Sequence, residues 1–282
     1  MTDSTAPVPP GTDPAVFRHG FSAHWMDVDR DPPERFVDLI AAAIDTGYRR
    51  IDCNPGWDTD AMVGAAIRSS GVSRDELFVT TVVPYPELGR EGVSTSITSS
   101  LERLGLDRLD LILISAPRSG WDVPGTVTAL TDLIADGRVR HVGARYMSPA
   151  DLDAFMGRLD TPLFAHMTEL HPLWHADELR RHAVEYGYWI LADGPLIQGM
   201  VREVSEIRQI AARTGATPWQ IALAWLHQLP NVATSTWTHD HIQMEENLAA
   251  RELTLDPADV AVVDQIDRRW SSVPHLHQLG HS

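Results

Sequence analysis

The 282-residue chain contains no lysine; all 23 of its basic residues are arginine. That absence excludes Schiff-base catalysis, a lysine-anchored pyridoxal phosphate and an ordinary P-loop, because each depends on a primary amine. Cysteine is almost missing as well. Cys53 stands alone, which excludes a disulfide framework and a cysteine-based zinc site. Positive charge is scarce, and the formal net charge is -16. Nucleic acid and anionic membranes both demand a basic face, so neither is an expected partner. No run of 18 apolar residues occurs. Residues 1–14 are acidic-polar and Pro-rich, with no basic segment leading into an apolar one. They are expected to be the disordered start of a cytoplasmic protein, not a signal peptide. Residues 271–282 carry three histidines and are expected to form a polar tail.

At 43% hydrophobic, the chain has enough apolar content for a sizeable core. Its apolar residues are distributed in a regular alternation. Short apolar runs at 16–23, 49–53, 77–83, 109–115, 140–144, 162–168, 188–193 and 231–236 read as strands. Between them lie stretches with a 3.6-residue period, such as Phe36, Leu39, Ile40, Ala43 and Ile44 in the first. Gly47, Gly137 and Gly187 stand where helices should stop. Ser148-Pro149 and Thr217-Pro218 place an N-cap before a first-position proline. Eight strand–helix units in one chain of this length predict an α/β fold, a single-domain (β/α)8 barrel over residues 15–270. No Gly-x-Gly-x-x-Gly follows an early strand, which disfavours a dinucleotide-binding doubly wound sheet.

Barrels of this kind carry function at the C-terminal ends of their strands. Five of the nine tryptophans fall on those expected loops: Trp25, Trp57, Trp121, Trp174 and Trp237. Indoles from five loops predict an aromatic-lined pocket for a small molecule of apolar or aromatic character, with His24, Val82 and Met167 as further lining. Asp52, Ser115, Arg145, Tyr146, His166 and Asp193 are the candidate catalytic groups. A carboxylate among indoles can serve as a general acid, and Arg145 can bind an oxyanion. Each has a plain structural reading too: Asp52 as a carboxylate bonded to backbone or arginine, His166 as a core histidine, single tryptophans as caps. No histidine–carboxylate set shares a face at metal-ligand spacing, so no metal is expected.

Several segments, taken in order, resemble the aldo-keto reductases: GYRRIDCNPGWDTDAMVGAAIRSSGVSRDELFVTT, DLILISAP, GRVRHVGARYMSPADL, ELHP, ATPWQIALAWLHQ and EENLAA. The likeness covers nearly the whole chain and implies the same barrel. It also implies carbonyl reduction with NADPH through an Asp, a Tyr, a Lys and a His. The Asp is present as Asp52; the other three positions hold Trp57, Val82 and Ser115. The family's nicotinamide-amide ligands correspond to Arg145, Tyr146 and Met167, and its stacking ring corresponds to Asp193. Its phosphate-clamping cations fall at Trp237 and Gln243, while Glu246 and Asn247 persist. These departures predict a non-redox enzyme with no cofactor: a cyclase, isomerase, dehydratase or other lyase on a small organic, natural-product-like substrate. Two alternatives remain. One is an NADPH-dependent reductase with an atypical site, using Asp52 or Tyr146 as proton donor and Glu246 and Asn247 for the cofactor. The other is a non-catalytic small-molecule-binding protein.

Overall fold

The computed structural model describes Ala6 and residues 17–23, 32–116 and 120–273. Along the chain run β1 (His19–Ser22), α1 (Pro33–Thr46), β2 (Arg50–Asp52), α2 (Asp60–Ser70), β3 (Phe78–Val83) and α3 (Arg90–Leu104). Then come β4 (Leu109–Ser115), α4 (Val123–Ala135), β5 (Val139–Arg145), α5 (Pro149–Met156), β6 (Ala165–Glu169) and α6 (Asp177–Tyr186). The chain continues through β7 (Trp189–Asp193), α7 (Ser205–Thr214), α8 (Pro218–Gln228), β8 (Val232–Thr236), α9 (His241–Ala249) and α10 (Pro257–Asp264). Each strand lies within or overlaps one of the eight apolar runs. In sequence order they close into the expected (β/α)8 barrel.

Local chemistry explains the elements. Phe36, Leu39, Ile40, Ala43 and Ile44 of α1 are all buried; a large aliphatic or aromatic side chain gains about 1.5–3 kcal/mol from such burial. Gly47, Gly137 and Gly187 take φ of 118°, 71° and 75°, the left-handed region where a Cβ is penalised. Ser148 and Thr217 each form a reciprocal capping box at the start of α5 and α8.

The chain packs as two compact units, divided after Gly20 in β1 and after Met167 in β6. In the unit carrying β2 to β5, the strand register sorts side chains between two faces. Asp52 pairs with Thr80, Thr80 with Leu111, Ser115 with Arg145, and Arg145 with Met167. Paired residues share a face, as do residues two apart. Asp52, Val82, Ser115, Arg145 and Met167 therefore lie on one face. Phe78 and His141, on the same face of strands two apart, stack with centroids 6.3 Å apart. Rings of β3 and β5 can meet across β4 only on the concave side, so this face is the barrel interior.

In the unit carrying β7 and β8, Ala6 donates its N–H to Asn231 Oδ1 at 2.6 Å and is buried. It lies inside the stretch expected to be disordered. At the other end, Ser271 and Ser272 dock on Glu169, and Val273 is buried. The folded body thus extends three residues into the expected tail. Among the described residues no helix is long and apolar enough to cross a membrane.

Candidate active site

Asp52 ends β2, fully buried. Arg50, two residues earlier on the same face, donates Nε–H to its carboxylate at 3.4 Å, and neither side chain is exposed. The position on the neighbouring strand where the family resemblance implies a cation holds valine. The strand's period of two supplies one from Arg50 instead, so Asp52 keeps a cation after all. Burial lowers the Arg50 pKa, and Asp52 acts in the opposite direction. Beyond Asp52, the residues Pro55–Trp57 form a short turn anchored by Asn54 Oδ1, which accepts from Gly56 N–H at 3.0 Å. Trp57 is 42% exposed on it. Val82 is buried at the end of β3, and Ser115 is half-buried at the end of β4.

The last residue of β5 and the next one, Arg145 and Tyr146, lie against each other at the strand's end. Tyr146 has φ of 55°, a conformation that is a genuine outlier for a bulky side chain. Its N–H donates to the Met167 carbonyl at 2.9 Å. The Arg145 guanidinium lies 4.8 Å from the centre of the Tyr146 ring, and only 6% of Tyr146 is exposed. His166 sits in β6 with the opposite parity to Met167, so its ring leaves the interior face. It is fully buried, and its Nε2 accepts the Met147 N–H at 3.1 Å. That is a structural bond, and it places the ring proton on Nδ1. Trp121 leans on Phe155 of α5, with centroids 6.0 Å apart.

The β7–β8 unit holds the remaining candidates. The register pairs Leu191 with Ala233, so Asp193 shares its face with Ser235. Thr234 and Thr236 face the other way, toward His19 and His227. Asp193 is 5% exposed, and its carbonyl accepts from Leu170 N–H. Trp174 bridges back to His171, and Trp237 lies edge-on to His239 at 5.1 Å.

Glu246 is held by Trp219, whose Nε1–H donates to Oε2 at 2.8 Å. Its carbonyl accepts from Gln220 Nε2. Asn247, the next residue, is fully buried, and neither its Oδ1 nor its Nδ2 has a hydrogen-bond partner. Leaving a buried amide unpaired costs about 1–3 kcal/mol per group, and such groups are rare in native proteins. One donor and one acceptor on a flat edge is the pattern that pairs with the N6–N7 edge of adenine. Here both amide atoms are covered by the surrounding side chains.

The docking of Ser271 and Ser272 has no counterpart among the sequence expectations. Glu169 is 1% exposed and accepts from His171 Nε2, the Ser271 hydroxyl, and the N–H and hydroxyl of Ser272. His24 and Trp25 lie outside the described residues. No group of three or more metal-binding side chains occurs among the described residues.

Residues 20–268 match the model of the Aldo/keto reductase family. An aldo-keto reductase of Mycolicibacterium vanbaalenii is 34% identical over 232 residues, 81% of this chain and 82% of that protein. The glyoxal reductase of Bacillus subtilis is 32% identical over 246 residues, 86% of this chain and 87% of that one. A solved aldo/keto reductase from Brucella melitensis shares 26% identity at a TM-score of 0.81, covering 89% of this chain and 95% of that one. These matches favour the oxidoreductase alternative over the cofactor-free, non-redox expectation, which they do not support. With the barrel, its strand order and matches along nearly its whole length in agreement, the chain belongs to the aldo/keto reductase family.

Proposed function

We propose that the protein is a nicotinamide-dinucleotide-dependent oxidoreductase of small carbonyl compounds, with Tyr146 in place of the usual proton donor. The observation that carries this reading is Asn247. Its orphaned amide carries the donor and acceptor that the N6–N7 edge of an adenine would complete. The amide is covered, so seating a base there entails an outward shift of the side chains above it. Family membership supports hydride chemistry, which a dinucleotide would supply when bound. The relative named as a glyoxal reductase supports a small carbonyl substrate.

Of the two candidate proton donors, Asp52 is engaged as an acceptor by Arg50. Tyr146 carries a hydroxyl and is held in a strained backbone conformation, which costs about 1–3 kcal/mol and is concentrated at functional sites. Its O–H donates a proton to the substrate oxygen. The fixed charge of Arg145 over the ring stabilises the phenolate left behind.

The test combines calorimetric titration of reduced dinucleotides with steady-state loss of nicotinamide absorbance on small aldehydes and dicarbonyls. Tyr146→Phe should leave dinucleotide affinity intact and lower turnover roughly 10²- to 10⁴-fold, the usual contribution of a positioned acid. Equal turnover in the variant sinks the role of Tyr146. A second reading, ligand conversion without hydride transfer, draws on Trp57, Val82 and Ser115 at the family's catalytic positions. Absence of any dinucleotide binding would favour it.

A further inference from the structure

Resting on the dinucleotide reading above, we infer that this chain takes the non-phosphorylated dinucleotide, NAD(H), and discriminates against NADP(H). The discrimination comes from the loop after β8 and the first turn of α9. Residues 232–250 contain no arginine and no lysine, but they hold Asp240, Glu245 and Glu246. A 2′-phosphate is a dianion that proteins recognise with fixed cations, above all arginine. None is supplied by this stretch. The next arginine, Arg251, donates Nε–H to the Leu248 carbonyl at the far end of α9.

The start of α9 is also closed to an anion. A helix N-terminus ordinarily offers free N–H groups and a favourable dipole to a phosphate. Here Asp240 fills that role from within the chain. Its Oδ1 accepts the N–H of Ile242 at 2.8 Å and of Gln243 at 3.3 Å. The neutral groups beside it are engaged with each other: Thr238 donates its hydroxyl to Gln243 Oε1 at 2.6 Å and accepts the Asp240 N–H at 3.0 Å. Asp240 lies seven residues from Asn247, about 10 Å along the helix axis. That separation is on the scale of an adenosine, so a base on Asn247 can direct its ribose toward Asp240. A carboxylate at that place accepts from a free ribose 2′-hydroxyl and repels a 2′-phosphate, the logic by which dinucleotide folds separate the two cofactors.

The full-length protein is titrated calorimetrically with NADH and NADPH. The pair adenosine 5′-monophosphate and adenosine 2′,5′-bisphosphate gives the same contrast without the nicotinamide. Measurements are made at about pH 8, above the ordinary histidine titration range. The expected result is at least tenfold tighter binding of NADH, with the gap narrowing as salt is raised. Asp240→Asn, which retains a helix-capping side chain, should strengthen NADPH binding and weaken NADH several-fold, since it removes the acceptor for the ribose 2′-hydroxyl; Gln243→Arg should strengthen NADPH further. NADPH bound as tightly as NADH or tighter overturns the inference and leaves the dinucleotide reading standing. Unchanged NADPH affinity in both variants overturns the assignment to this loop. Binding of neither dinucleotide overturns the reading itself, and this inference with it.

Discussion

Arg50 and Asp52 are two charges with no exposure, paired within one strand. Removing ions from water is expensive, and a buried pair persists only because each partner compensates the other. Arg50→Ala takes the cation from the carboxylate and should cost about 3–5 kcal/mol in chemical denaturation. Joint replacement, Arg50→Met with Asp52→Leu, should recover most of that loss, because two apolar side chains need no compensation. If the double variant is as unstable as the single one, the pair is held by contacts other than its own charge.

His175 offers a different residue-scale prediction. Its ring packs 4.9 Å from that of Trp225, and Nε2–H donates to the Pro172 carbonyl at 3.0 Å. Burial lowers its pKa; Asp267, the Pro172 carbonyl and Asp177 pull upward and Arg180 adds to the lowering. A histidine with a lowered folded pKa binds fewer protons folded than unfolded, so stability rises with pH. The contribution is complete above the unfolded histidine value of about 6.5 and falls as pH drops below it. Thermal melts across this window should show lower stability on the acid side, with a shallower slope in His175→Gln.

At the scale of elements, helices α2 and α3 approach so closely that a Cβ on Gly64 would stand 2.1 Å from the Leu104 carbonyl oxygen. Backbone cannot swing aside as a side chain can. Gly64→Ala should therefore separate the two helices and cost about 1–3 kcal/mol, the usual penalty of overpacking, read as a lower denaturation midpoint. The elements themselves were legible because each carries its own local signal. Strands were marked by short apolar runs, helices by the α1 stripe and by caps at Ser148 and Thr217, and stops by glycines that must adopt positive φ.

The site was legible to the extent that it follows strand parity. Asp52, Val82, Ser115, Arg145 and Met167 came out on one face as residues at strand ends should. His166 did not, because it is one residue out of phase with Met167, a distinction that a single step along a strand decides. Arg50 stands two residues before Asp52, a spacing readable in the sequence, yet the family resemblance directs attention to a more distant partner. The docking of Ser271 on Glu169, 102 residues apart, has no local signal. Nor does the conformation of Tyr146: nothing in its composition demands positive φ, and tertiary packing imposes it.

At the scale of the whole molecule, the C-terminal segment is part of the fold. Ending the chain after Trp270 removes three donors from the buried carboxylate of Glu169. An under-satisfied buried charge costs at least about 1–3 kcal/mol, so the truncated protein should melt well below the full chain. Glu169→Gln, which accepts fewer charge-assisted bonds, should lie between them. Equal melting of the truncated and full-length proteins would show that the docking contributes nothing.

The lone thiol gives the barrel an internal clock. Cys53 is wholly buried, its Sγ lies 3.1 Å from the Thr80 carbonyl, and burial raises its pKa well above the ordinary thiol value. A disulfide reagent meets no other sulfhydryl in the sequence and finds this one only when the β2–β3 region parts. Where reclosing outruns the reagent, the pace of labelling under native conditions follows the population of the opened form, and any ligand that braces this region should slow it by the same factor with which it deepens stability.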